Sequence, residues 1–205
     1  MRVARAFLTI ALLVSCYGLA YAAPGESREE SLPLGGSTLQ EDVSSISGVR
    51  LHLQYGDFRI VAGDSDQVTI RTDGKNAEQA KNMRVRIKRI GNTLDFTFLH
   101  VPKNEVYVTI TIPRETSLFA RMRAGDLSVD GVAGDKDLEL WAGDLNVQVA
   151  DASDYGPIDL SVKVGDVSAG PFGSPKGTVG NSLRHAGSGK YRLHAHVFAG
   201  DLTLR

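Results

Sequence analysis

Glycine followed directly by aspartate is the most prominent chemistry-bearing pair in this sequence of 205 residues. The pairs are Gly56-Asp57, Gly63-Asp64, Gly125-Asp126, Gly134-Asp135, Gly143-Asp144, Gly165-Asp166 and Gly200-Asp201. Closely spaced aspartates could bind calcium, because the carboxylates of adjacent turns in a β-roll converge on the ion. Calcium-binding β-rolls need Gly-Gly-x-Gly-x-Asp, however, and each copy here has a single glycine. We therefore interpret the pairs as structural turns and predict no metal site and no cofactor.

Two histidines, His194 and His196, occupy alternate positions of one predicted strand. Alternate residues of a strand point to the same face, so these imidazoles could begin a zinc site. Their apolar neighbours Leu193, Ala195 and Val197 predict that the opposite face lies on the core, which leaves the histidines facing solvent. The other histidines are scattered along the sequence and do not complete a set of ligands.

Trp141 is the single tryptophan of the chain. Its position relative to Leu138 and Leu140 predicts that the ring points away from the core. An exposed tryptophan suits contact with a protein or a carbohydrate, whereas the alternative is a ring covered by a neighbouring loop. We predict a contact surface that includes Trp141, His194 and His196.

The sequence lacks the catalytic motifs for which we searched. Neither Gly-x-Ser-x-Gly nor His-Glu-x-x-His occurs, and Gly187-Ser188-Gly189-Lys190 lacks the spacing of a phosphate-binding loop. An enzyme that cleaves polysaccharides with paired carboxylates is the alternative. The aspartates lie beside turn glycines, where hydrogen bonds to the backbone explain them, so we predict a protein without catalytic activity.

The composition narrows the class of protein further. Lys and Arg total 23 against 24 Asp and Glu, a formal charge of −1 at pH 7. This near neutrality argues against a nucleic-acid partner, because phosphate contacts require a basic excess. With 42% hydrophobic residues, the chain is able to bury a core.

The first 22 residues predict export. Arg2 and Arg5 precede an apolar stretch that is short for a membrane span, and Ala20-Tyr21-Ala22 is typical of a signal-peptidase site. Cys16 offers an alternative, because Leu13 to Cys16 resembles a bacterial lipobox, in which the cysteine carries a lipid. We predict an exported protein that is periplasmic, secreted or on the cell surface, and that meets a membrane only if Cys16 is lipidated. A retained anchor is the remaining alternative.

Alternation of apolar and polar residues positions these candidate groups on strands. The longest alternating run is Val106 to Ile112, and Gly91-Asn92 between two such runs predicts a hairpin. Residues 23–45 are polar and rich in turn formers, which predicts a tether. The folded domain is then expected over residues 46–205.

The Gly-Asp pairs recur in phase with the strands from Arg123 onwards. Ala-Gly-Asp occurs at nine-residue intervals from Ala124, and each copy is followed by a short aliphatic strand. Glycine supplies positive φ without steric cost, and the aspartate can cap its own backbone after the turn. The pattern predicts an all-β, single-domain, solenoid-like stack of short strands, with loops in the longer gaps and above all over residues 170–189.

The repeat resembles the bacterial putative-adhesin family of unknown function, whose members are also called toastrack domains. The resemblance rests on the segments Leu138 to Val147, Leu193 to Leu204 and Gly48 to Ile70, and it extends over residues 46–205. It implies a β-solenoid-like fold and a location in the cell envelope, and it implies no catalytic residues. Trp141 departs from the Ser or Thr that often precedes the small residue in this family.

These observations predict an exported, non-enzymatic interaction or scaffold protein of the envelope. Its partner is expected to be a protein or an envelope polymer. The alternatives are a carbohydrate-active lyase or hydrolase on a β-helix scaffold and a calcium-dependent adhesin.

Overall fold

A computed structural model describes residues 27–31, 38–72, 82–102, 106–170, 172–173 and 179–205. In these ranges the chain forms strands and one short 3-10 helix, Ala152–Asp154, which confirms the all-β prediction. The strands are β1 (Ser27–Ser31), β2 (Thr38–Asp42), β3 (Gly48–His52), β4 (Asp57–Gly63), β5 (Gln67–Thr72), β6 (Arg84–Ile90), β7 (Thr93–Leu99), β8 (Tyr107–Pro113), β9 (Ser117–Ala124), β10 (Leu127–Asp130), β11 (Lys136–Ala142), β12 (Leu145–Gln148), β13 (Tyr155–Val164), β14 (Val167–Ala169), β15 (Val179–Ala186), β16 (Tyr191–Ala199) and β17 (Leu202–Leu204).

The strands form two sheets that enclose one core. Sheet A has the order β1-β6-β7-β3-β9-β11-β16-β13-β15, and sheet B has the order β14-β17-β12-β10-β4-β8-β5-β2. Each strand in the middle of sheet A is followed along the chain by one in sheet B, and we call such a pair a rung. The rungs are β7/β8, β3/β4, β9/β10, β11/β12, β16/β17 and β13/β14, and neighbouring rungs pair in parallel in both sheets.

The rungs do not stack in the order of the sequence. The C-terminal rung β16/β17 lies between β11/β12 and β13/β14. The chain reaches this position after β15, which pairs antiparallel with the far side of β13. This insertion explains why the regular spacing of the Gly-Asp pairs is lost after Asp144.

The nine-residue spacing marks half a turn of the stack. Asp126 and Asp144 are 18 residues apart and lie on adjacent rungs at the same edge, where the chain passes from sheet A to sheet B. Gly134 lies between them in sequence, at the opposite edge, where the chain returns from β10 to β11. One full turn therefore takes 18 residues and contains two Gly-Asp pairs of different geometry.

Apolar side chains of both sheets pack between them. The alternation found in the sequence places residues such as Val108, Ile110 and Ile112 of β8 inside. Parallel register aligns equivalent positions, so that Leu127, Leu145, Leu202 and Val167 form one buried row. Burial of such rows supplies the main driving force for folding. The predicted hairpin at Gly91-Asn92 is confirmed, since β6 and β7 pair antiparallel across it and Gly91 has φ 59°.

Two segments predicted to be irregular contain strands. Within residues 23–45, β1 pairs with β6 and β2 pairs with β5, so most of the described part of the predicted tether belongs to the sheets. Polar residues are accommodated there because edge strands expose one face. Within residues 170–189, β15 forms the edge of sheet A. Its outward face is exposed, which explains why its sequence lacks an apolar pattern.

The predicted signal peptide, including Cys16, lies outside the described residues. Within the ranges that the structure describes, no helix is long and apolar enough to span a membrane.

Candidate functional site

The predicted turn residues are grouped at two edges of the stack. Five of the seven glycines have positive φ, the backbone conformation expected of the predicted turns, and these are Gly56, Gly125, Gly143, Gly165 and Gly200. They lie side by side on adjacent rungs, and we call this the glycine edge. Gly63 and Gly134 do not have positive φ, so the prediction of a left-handed turn is wrong for these two. Gly63 ends strand β4, and Gly134 is required for a different reason, given below.

Close approach of backbones makes glycine necessary at the glycine edge. A Cβ atom on Gly143 would lie 2.0 Å from the carbonyl oxygen of Gly125, and one on Gly200 would lie 2.0 Å from that of Gly143. The amide of Gly143 donates to the carbonyl of Ala199 at 2.9 Å. The turns therefore stack directly on one another, and no other residue type fits between them.

The aspartates of the edge bond to neighbouring rungs rather than to their own turns, which corrects the predicted self-capping. Asp126 accepts a hydrogen bond from the amide of Asp144 at 3.3 Å, and Asp144 accepts from Asp201 at 3.2 Å. Asp201 in turn accepts from Asp166 at 2.9 Å. At the last rung the side chain of Asn181 donates to the carbonyl of Gly165 at 2.8 Å and so closes the series. These bonds support a structural role for the carboxylates.

The outer face of sheet B is built mainly from small polar side chains. The strands of this sheet present Thr109, Ser128, Asn146, Ser168 and Thr203. Arg59 and Asp130 form an ion pair at 2.8 Å on this face, and a depression of about 390 Å³ surrounds them. Tyr107, at 48% exposure, is the one exposed large hydrophobic residue on this sheet within the described ranges.

The outer face of sheet A carries rings and charges instead. Its central strands β9, β11 and β16 present Phe119, Arg121, Asp137, Glu139, Trp141, His194, His196 and Phe198. The outward orientation predicted for Trp141, His194 and His196 is confirmed by their exposure. Their role in contact with a partner stays a prediction.

Trp141 and Phe198 form a stacked aromatic pair. The register of β11 and β16 matches Leu140 with Val197, which puts the two rings on adjacent strands. Their centres are 4.2 Å apart and their planes differ by 2°. Trp141 remains 62% exposed, although Phe198 covers one ring face. The indole is therefore fixed in orientation and still accessible, as an amphipathic binding residue requires.

Arg121 is the centre of a network of ion pairs beside the aromatic pair. Its Nη1 lies 3.1 Å from Oδ1 of Asp137, and its Nε lies 2.7 Å from Oε2 of Glu139. The guanidinium also lies 3.9 Å from the centre of the Phe119 ring. Burial of Asp137 opposes its ionisation, but hydrogen bonds from Arg121 and His194 outweigh this and lower the pKa of Asp137. The network therefore holds charged side chains in one geometry.

The histidines of the face have separate partners. Nδ1 of His194 lies 2.9 Å from Asp137, and Nδ1 of His196 lies 2.8 Å from the hydroxyl of Ser161. His52 contacts Asp95 at 3.1 Å. The side chains do not converge on one point, and in the described part of the chain no group of three or more His, Cys, Asp or Glu could hold a metal ion.

The described side chains of this face form two grooves that matter for binding. The first has a volume of about 520 Å³ and is lined by Gln54, Arg121, Arg123, Glu139, Trp141, His196 and Phe198 among others. The second, of about 800 Å³, is lined by Arg50, Phe119, Asp137, Asp159 and His194 among others. The ion pair between Arg121 and Asp137 connects the linings of the two grooves. Together they offer an extended surface that crosses the strands of sheet A.

Sequence reasoning missed a buried lysine at the edge opposite the glycines. Lys136 is 2% exposed, and its ammonium donates to the carbonyl of Gly134 at 3.1 Å and to the hydroxyl of Tyr155. The Tyr155 hydroxyl donates to the carbonyl of Val132 at 3.2 Å. Burial lowers the pKa of Lys136 to about 7 and raises that of Tyr155. The alternation Lys136, Leu138, Leu140 is the signal that could have identified this inward position.

No known protein family matches the sequence, and no curated protein matches it. The fold is similar to a solved structure described as a "putative cell adhesion protein" from Clostridium sporogenes ATCC 15579, at 11% identity over 87% of this chain and 99% of that chain, with a TM-score of 0.52. A "putative adhesin" from Bacteroides fragilis NCTC 9343 matches at 13% identity over 83% of this chain and 97% of that chain, with a TM-score of 0.35. The first likeness confirms the predicted resemblance at the level of the fold.

Proposed function

We propose that the protein is an exported, non-enzymatic interaction module of the cell envelope that binds its partner on the outer face of sheet A. The single observation that carries this proposal is the fixed, exposed pair of Trp141 and Phe198 in a groove on that face. An aromatic ring that is exposed and already oriented loses little entropy on binding. The predicted signal peptide supports export, and the description of the similar Clostridium sporogenes structure as a "putative cell adhesion protein" supports an adhesive role.

The state of the carboxylates favours binding over catalysis. A glycosidase of the usual type needs one carboxylic acid with a raised pKa, placed opposite a second carboxylate. Asp137 has a lowered pKa, and Glu139 is paired with Arg121 at 2.7 Å. Asp137 and Glu139 are therefore committed to a structural network, so we propose that neither acts as a general acid.

Cosedimentation of the purified protein with the envelope fraction of the cells that express it tests the proposal. We expect the wild type to bind, and we expect Trp141→Ala to weaken binding by about tenfold or more, as for a central contact residue. Tyr107→Ala is the matched control, because it removes an exposed aromatic ring from sheet B. We expect it to bind like the wild type.

Equal losses in the two variants, or no binding by the wild type, would overturn the proposal. Time-dependent release of soluble sugars from the envelope fraction would instead support the enzymatic alternative.

A further inference from the structure

We propose that the groove around Trp141 binds a neutral saccharide chain, with one sugar ring stacked on the indole. This inference rests on the proposed function and specifies the chemistry of the partner. The groove has a volume of about 520 Å³, which is sufficient for several sugar units and within the range of small-ligand sites.

The aromatic pair forms a platform for a pyranose ring. Within the described residues, the one ring that contacts Trp141 is Phe198, which packs against one face of the indole. The other face points towards β9, the neighbouring strand on the opposite side of β11. The C–H groups on one side of a sugar ring are apolar and match the area of an indole face. Stacking there buries apolar surface while the sugar hydroxyls stay at the ring edge, where polar side chains can reach them.

Polar atoms beside the platform are oriented for hydroxyl groups. Glu139 uses Oε2 to bind Arg121, and His196 uses Nδ1 to bind Ser161. Within the described ranges, Oε1 of Glu139 and Nε2 of His196 have no hydrogen-bond partner, so each offers one further atom to a ligand. Both side chains are already held in place, which reduces the entropy lost when a hydroxyl binds.

The low charge of the groove favours a neutral ligand. Its lining carries two positive charges, on Arg121 and Arg123, and one negative charge, on Glu139. Arg121 is paired with Glu139 and also with Asp137, which lies outside this lining. A polyanion such as a polyuronate or a nucleic acid finds one net positive charge on this lining, which is far less than the basic excess that such ligands require. A neutral chain needs no such excess and can use the same side chains as hydrogen-bond donors and acceptors.

The size of the apolar patch favours a saccharide over a protein. A stable protein interface buries about 800 Å² on each partner around an apolar centre. The exposed apolar side chains of the lining are the two rings, because Leu53, Phe98, Met122 and Leu140 are buried. The second groove, of about 800 Å³ on the same face, would accommodate further units of a polymer that runs across the strands.

Titration with neutral hexasaccharides tests the inference without a label, because Trp141 is the single tryptophan and reports on its own site. The probes are β-1,4-linked glucose and N-acetylglucosamine hexamers and an α-1,4-linked glucose hexamer, and a galacturonate hexamer serves as the charged counterpart. We expect at least one neutral probe to cause a saturable change in emission, with a Kd between about 10 µM and about 1 mM, typical of a single shallow site. We expect weaker binding of the charged probe.

Calorimetry with two variants at the same position provides the control. Trp141→Phe preserves a ring and should weaken binding less than tenfold, whereas Trp141→Ala should abolish it. Saturation by the galacturonate hexamer alone, or equal affinity of Trp141→Ala and the wild type for a neutral hexamer, would overturn the inference.

Chemical treatment of the envelope fraction separates failure of the inference from failure of the proposed function. Periodate cleaves 1,4-linked glucose at its vicinal diol, chitinase cleaves 1,4-linked N-acetylglucosamine, which has no such diol, and proteinase K removes proteins. We expect binding that depends on Trp141 to be lost after one of the two treatments that cleave sugars and kept after proteinase K. The reverse result would overturn the saccharide inference and leave the proposed function intact, whereas binding that does not depend on Trp141 would overturn both.

Discussion

At both edges of the stack the chain passes from one sheet to the other, but different residues make the two passages possible. At the glycine edge the chain turns from sheet A to sheet B, and backbones lie so close that a Cβ atom on Gly143 would meet a carbonyl oxygen at 2.0 Å. At the opposite edge, which we call the lysine edge, the chain returns from sheet B to sheet A. There Lys136 and Tyr155 fill the interior and bond to backbone carbonyls.

The difference shows that the glycine of the Gly-Asp pair is required for different reasons at the two edges. Gly143 needs a positive φ of 123°, whereas Gly134 has no positive φ and is needed because a Cβ atom would lie 2.3 Å from the carbonyl oxygen of Thr116. Asp135 nevertheless acts like the aspartates of the glycine edge, since it accepts a hydrogen bond from the amide of Arg192 on the next rung at 2.8 Å. Asp135 and Asp144 therefore have the same role at opposite edges, whereas Gly134 and Gly143 are required for different reasons.

Gly143→Ala should have the largest effect on stability. The added methyl group requires a strained φ and overlaps the backbone of the next rung, so we expect a loss of at least about 3 kcal/mol in the free energy of unfolding. Urea denaturation followed by circular dichroism measures it. Gly91→Ala is the control, because Gly91 also has positive φ but a Cβ atom there meets nothing within 4 Å. We expect the control to lose about 1 kcal/mol, and equal losses would contradict the close-packing account.

Lys136→Met should change how stability depends on pH. The unfolded chain keeps the ordinary lysine pKa of about 10.4, while burial lowers the pKa of Lys136 to about 7 in the folded state. Between these values the unfolded state binds more protons, so the stability of the wild type rises with pH. From about pH 6 to about pH 9 we expect a rise of about 2.5 kcal/mol relative to Lys136→Met, measured by urea denaturation at each pH.

The variant should also be more stable than the wild type at about pH 6, because methionine fills a similar volume without a charge. Parallel pH profiles of the two proteins would contradict a buried, desolvated lysine at this edge.

Asp144→Ala should have the smallest effect at the glycine edge. It removes the acceptor for the amide of Asp201, a bond of 3.2 Å at an exposed position, so we expect a loss of about 1 kcal/mol. Asp64→Ala is the matched control within the same motif, because Asp64 contacts Arg114 at 3.3 Å on the surface and should contribute almost nothing. A loss as large in the control would show that the bonds between rungs do not stabilise the stack.

Local patterns were sufficient to predict much of the fold. Alternation of apolar and polar residues has a period of two in any strand, so it identified the core side of β8, β11 and β16 without knowledge of their partners. The same rule gave the outward orientation of Trp141 and His194. Positive φ at glycine is likewise a local property, and the left-handed turns at Gly143 and Gly200 followed from the Gly-Asp motif.

The stacking order of the rungs could not be predicted. Which strands pair depends on contacts between distant segments. Proximity in the sequence would place β13 directly beside β11, but β16 lies between them and pairs with both. For the same reason the edge strands β1, β2 and β15 were missed, since polar strands gain their stability from a partner rather than from an apolar pattern.

The sequence by itself determined that this protein is an all-β stack with glycine turns, and which residues of each strand face outwards, because these properties depend on neighbours within a few residues. Only the tertiary structure decided that Trp141 packs on Phe198, that Arg121 lies between Asp137 and Glu139, and that Lys136 is buried against Tyr155. Each of these contacts joins residues on different strands or rungs, and their positions relative to one another are set by the register of parallel pairing.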